Sequence, residues 1–145
     1  MLPHLFLGDF DSALDEELLA SLGVTHVVNA TEAPLPWAPA HYLQLDAVDD
    51  IGYDMKQHCA AVSAFVSAAR AFGGCCLVHC QAGINRSGFL VAAEVMVGEH
   101  LPVLEAVRRC KRARGCVLLS NVPANSNAAT SEHCPGLCDA ARGPH

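Results

Sequence analysis

The first 54 of the 145 residues contain no lysine or arginine, but they hold ten acidic residues. That part of the chain offers no cationic surface to a nucleic acid or an anionic membrane. All nine basic residues follow, from Lys56 onward, beside only five more acidic ones. A site for an anion therefore belongs in the second part. The net charge of −6 speaks against a general nucleic-acid binder. Long hydrophobic runs are absent too. None reaches the roughly 18 residues of a bilayer-crossing helix, so no membrane partner is expected. The opening Met-Leu-Pro-His carries no basic stretch ahead of a long apolar one, and no secretory leader is expected. No lipid-attachment motif is present at either end. With 11 Gly and 8 Pro the chain is neither collagen-like nor low in complexity.

What is present is apolar. Hydrophobic residues make up 52% of the chain and charged ones 17%, enough for one domain with one core. Eight cysteines without a secretory leader fit reduced thiols in the cytoplasm or nucleus better than a disulfide scaffold.

The pattern along the chain alternates strands and helices. Residues 4–8 read as a first strand ended by Gly8. Residues 12–22 read as one helix capped by Ser12, with Leu14, Leu18, Leu19 and Leu22 as its apolar stripe. Strands are expected over 25–30 and 42–45, separated by a proline-rich loop around Trp37. An acidic loop, 46–54, leads to a helix over 55–72 capped by Asp54 and closed by Gly73-Gly74. Residues 75–79 form a continuous apolar run ending in His79, as a strand buried on both faces does. Helices are expected over 87–97 and from Pro102 to about Arg112. The fold class is α/β, with a central, largely parallel sheet flanked by helices.

The chemistry concentrates in His79-Cys-Gln-Ala-Gly-Ile-Asn-Arg-Ser87, between a buried strand and a buried helix. Ligands bind at such strand-to-helix turns in α/β folds. Backbone N–H groups of Gln81, Ala82, Gly83, Ile84, Asn85 and Arg86 can line one concavity, with the positive end of the next helix behind it. The Gly-Lys-Ser/Thr ending of a nucleotide-binding loop is missing. Cys80 sits in this cradle, and both the helix end and Arg86 favour its thiolate over a buried, inert thiol. A thiolate beneath a phosphate is a nucleophile aimed at phosphorus. Arg86 can fork two phosphate oxygens, and Ser87 can donate to the Cys80 sulfur. His79 either orients the Cys80 region or ends the strand as a satisfied core histidine.

This His-Cys-x-x-Gly-x-x-Arg-Ser run resembles the active-site signature of the cysteine-dependent protein tyrosine phosphatase superfamily. The surrounding sequence, with Leu5-Phe-Leu-Gly8, residues 22–30 and Tyr42-Leu43, is similar to the small, atypical dual-specificity phosphatases. The resemblance runs from about Leu5 to Leu119. It implies hydrolysis of phosphotyrosine and phosphoserine or phosphothreonine in a phosphorylated protein substrate, through a phosphocysteine, with no cofactor and no metal. It places Asp49 as general acid, with Asp50 as the alternative. A solvated acidic loop is the plainer reading of both.

Residues 1–120 are thus expected to be the catalytic domain and 121–145 a low-order tail, where the family's final helix is expected to be missing. His133, Cys134 and Cys138 lack a paired spacing and are not read as a zinc site. The basic cluster Arg108, Arg109, Lys111, Arg112 and Arg114 either steers anionic partners or is a solvated face. Two other functions stay open: a non-catalytic phosphoprotein-binding chain, and a phosphatase acting on a non-protein phosphate. Oligomeric state is not legible.

Overall fold

The computed structural model describes residues 2–114 and the short strand at 138–139. Five strands make one sheet in the order β3-β2-β4-β1-β5. They are β1 (Leu5–Gly8), β2 (Val24–Asn29), β3 (His41–Gln44), β4 (Cys75–His79) and β5 (Cys138–Asp139). The first four run parallel, and β5 pairs antiparallel with the outer edge of β1. The helices are α1 (Phe10–Leu14), α2 (Glu16–Ser21), α3 (Cys59–Phe72), α4 (Arg86–Gly98) and α5 (Val103–Arg114).

Alternation along the strands divides the core in two. Leu5 and Leu7 of β1, Val28 of β2, and Cys76 and Val78 of β4 face α3, α4 and α5, whose Val66, Leu90, Val95 and Ala106 complete the larger cluster. Phe6, Val27 and Leu77 face the other way, onto Ala13, Leu19 and Leu35. Trp37 closes that thinner side, its indole N–H donating to the Ala13 carbonyl at 2.9 Å. β4 is central and buried on both faces, as its apolar run predicts.

The single helix expected over 12–22 is two. Asp9 caps α1, accepting from Ser12 N at 2.8 Å, while Asp15 caps α2, accepting from Leu18 N at 2.9 Å. Ser12 is inside α1 and donates its hydroxyl to Asp9 at 2.6 Å. The helix expected over 55–72 begins as a 3-10 turn, Met55–His58, capped by Asp54 as foreseen. It closes at Gly73, whose φ of 82° is the left-handed conformation a helix end favours. Of the 121–145 tail, only Cys138–Asp139 is described, and it is a strand. The remainder, with the expected missing helix, lies outside the described residues.

Candidate active site

β4 delivers His79 and Cys80 to the carboxyl edge of the sheet, and α4 begins six residues after Cys80 at Arg86. The turn between them must reverse tightly. Gly83 has φ 67°, and a Cβ there would lie 2.7 Å from the Gly8 carbonyl oxygen. Three successive loop carbonyls are held from outside. Gln81 O accepts from Phe10 N at 3.1 Å. Ala82 O and Gly83 O accept from Arg114 Nη2 and Nε at 3.3 and 3.4 Å. With the carbonyls drawn outward, the opposed N–H groups of these peptides face the cradle.

Cys80 is buried, and its Sγ lies 3.1 Å from Ser87 Oγ on the first turn of α4. His79 is buried behind it, Nδ1 3.3 Å from the Cys80 carbonyl oxygen and its ring edge-on to Phe10. A carbonyl neighbour requires the proton on Nδ1. Burial pushes the His79 pKa down to about 4, against smaller opposing effects of the Cys80 hydrogen bond and Asp9. Its Nε2 has no hydrogen-bond partner among the described residues. The Nδ1 contact is compatible with both readings of His79, a core histidine ending the strand and one that orients the Cys80 region.

Arg86 is buried and reaches across to the acidic loop. Its Nη1 donates to Ala47 O at 3.0 Å, and its Nη2 stands 3.8 Å from Asp49 Oδ2. Its Nε is buried with no partner among the described residues, a donor left over for a ligand oxygen. Asn85 Nδ2 donates to Asp49 Oδ1 at 3.2 Å. Asp50 instead closes its own turn, accepting from Gly52 N at 2.8 Å. The geometry therefore brings Asp49, and not Asp50, to the cradle.

Three supports escaped the sequence reading: the Phe10 amide, the Ala47 carbonyl and Arg114. The first two are backbone atoms and carry no side-chain signal. Arg114 carries the same charge signal as the rest of the basic cluster, yet it is buried under the loop. Of the rest of the cluster, Arg109 pairs with Glu99 and Glu105, and Arg112 with Glu105. Among the described residues no group of three His, Cys, Asp or Glu could hold a metal ion, and no helix is long and apolar enough to cross a membrane.

At the carboxyl edge of the sheet the structure thus gathers the Cys80 thiol, the N-terminus of α4 and the buried Arg86 guanidinium. The chain belongs to the dual specificity phosphatase family, whose catalytic-domain model matches residues 5–123. It is similar to human dual specificity protein phosphatase 26, 37% identical over 123 residues, which span 79% of this chain and 58% of that protein. The zebrafish dual specificity protein phosphatase 22-B is 39% identical over 118 residues, 80% of this chain and 64% of that one. The chain thus spans under two thirds of the length of these relatives. Among solved structures, human DUSP28 superposes with a TM-score of 0.76 at 35% identity, over 82% of this chain and 85% of that one.

Proposed function

We propose that this chain is a cysteine-dependent phosphatase that hydrolyses phosphotyrosine and phosphoserine or phosphothreonine in proteins. One observation carries the reading: Cys80 Sγ lies 3.1 Å from Ser87 Oγ at the foot of a helix whose first turn has no side-chain cap. The helix N–H groups and Arg86 grip the phosphate, and the thiolate stands in line behind phosphorus. Sγ forms the S–P bond while the ester P–O bond breaks. The departing electron pair goes to the leaving oxygen, which takes a proton from Asp49. Water then attacks phosphorus and gives its proton to Asp49. The S–P bond breaks, returning the thiolate, to which the Ser87 hydroxyl donates.

Gln81, Ala82, Ile84 and Asn85 add no charge to the loop, which favours a phosphoprotein over a highly charged phosphate ester.

The test is turnover of a small aryl phosphate by purified protein. Wild type turns over, and Cys80→Ser does not, because a serine hydroxyl is not ionised at neutral pH. Both bind tungstate. Arg86→Lys loses most activity with the bidentate fork. A folded wild type that binds tungstate but never turns over would make the chain a phosphoprotein binder instead. Activity retained in Cys80→Ser would sink the mechanism.

A further inference from the structure

Asparagine is among the residues that best cap a helix N-terminus, its side-chain oxygen accepting an N–H of the first turn. Asn85 holds that position on α4, yet its side chain makes no capping bond. Its Nδ2 instead donates to Asp49 Oδ1 at 3.2 Å, a residue 36 positions away. Two things follow. The first-turn N–H groups of α4 stay open to a ligand. One oxygen of Asp49 is also held, leaving Oδ2 on the side of Arg86 Nη2, 3.8 Å away.

Asp49 needs such a hold. It lies on an irregular loop that begins with Asp46 in a left-handed conformation, φ 51°, and its side chain is 43% exposed. The backbone is tied near it through Ala47 O and Arg86 Nη1, but that bond does not orient the carboxyl group.

We propose that Asn85 is a positioning residue for proton delivery. It clamps Oδ1 of Asp49 so that Oδ2 carries the proton passed to the leaving-group oxygen. The proposal rests on the phosphatase reading above. As the P–O bond breaks, the Oδ2 proton moves to the leaving oxygen and negative charge appears on the Asp49 carboxyl. The Asn85 amide donor meets that charge as it forms, so its contribution grows toward the transition state. Both the geometry and the charge call for a donor at position 85, not merely for a side chain of that size.

The experiment compares kcat for two esters: an aryl phosphate with an acidic phenol, which leaves without a proton, and an alkyl phosphate, which cannot. Asn85→Ala removes the donor. Asn85→Asp keeps the size and the capping ability but sets a carboxylate against Asp49. In both variants the alkyl-to-aryl ratio of kcat falls about tenfold or more, part of the 10²–10⁴-fold a placed acid supplies. In an Asp49→Asn background, replacing Asn85 moves the ratio no further, because the group it positions is gone. Equal losses on the two esters, or full additivity in the double variant, overturn the proposal while leaving the phosphatase reading intact. Wild type that hydrolyses neither ester overturns both. Circular dichroism on each variant separates lost fold from lost positioning, and Asn85→Asp folded with an unmoved ratio also refutes the clamp.

Discussion

His79 shows what one side chain can be held to. Its ring is wholly buried and neutral, with the Nδ1 proton against the Cys80 carbonyl. In the unfolded chain the ring protonates near 6.5, and in the folded one only near 4. Its contribution is therefore complete above pH ~6.5 and is lost as pH falls from there toward ~4, roughly 3 kcal/mol in all. His26 adds to this in the same direction, its pKa lowered by burial and by the stacked His41. Urea unfolding at pH ~7.5 and ~5 should show stability dropping by about 2 kcal/mol from His79 alone. His79→Asn, which keeps an amide donor near the Cys80 carbonyl, should flatten that slope. An unchanged slope would mean the ring is not the titrating group. The sequence left the tautomer of His79 open because it follows from a neighbour's carbonyl, and no residue letter records which way that carbonyl points.

At the scale of elements, the first helical segment is the instructive misreading. Leu14, Leu18, Leu19 and Leu22 repeat at helical spacing straight across the point where α1 gives way to α2. An apolar stripe reports a face and is blind to a break in the axis. The break is written in Asp15, whose carboxylate accepts from Leu18 N and begins a new helix. Ser12 and Asp9 are both capping types, and the sequence cannot say which of two such neighbours takes the post. Asp15→Ala should cost about 1 kcal/mol of unfolding free energy, and Asp9→Ala a similar amount through the cap of α1. Thermal melts of the two variants check both. By contrast β2, β3, β4, α3 and α4 are legible within a few residues. Their boundaries coincide with strong local signals: the Gly73-Gly74 stop, the Asp54 cap, and an apolar run framed by Gly74 and the motif.

For the molecule as a whole, the site couples to stability. An oxyanion that binds only the folded cradle should raise stability by about 2.7 kcal/mol at a hundredfold excess over its Kd. Tungstate should accordingly raise Tm by roughly 10 °C. Arg86→Ala should abolish the rise and Arg114→Ala reduce it, since Arg114 holds two of the loop carbonyls. A chelator should leave both Tm and turnover unchanged, and a loss of activity in EDTA would contradict the mechanism. The motif itself was readable because it is nine consecutive residues. Its buttresses were not, because they arrive from positions 10, 47 and 114, joined to the loop by folding and by no pattern in sequence. That dispersal orders events during synthesis. The motif is translated by residue 87, but the guanidinium that seats its carbonyls is added 27 residues later, at the end of α5. A ribosome-bound chain stopped at Gly98 would hold the complete signature and none of the Arg114 contacts. The nucleophile is thus made well before the last support of its cradle.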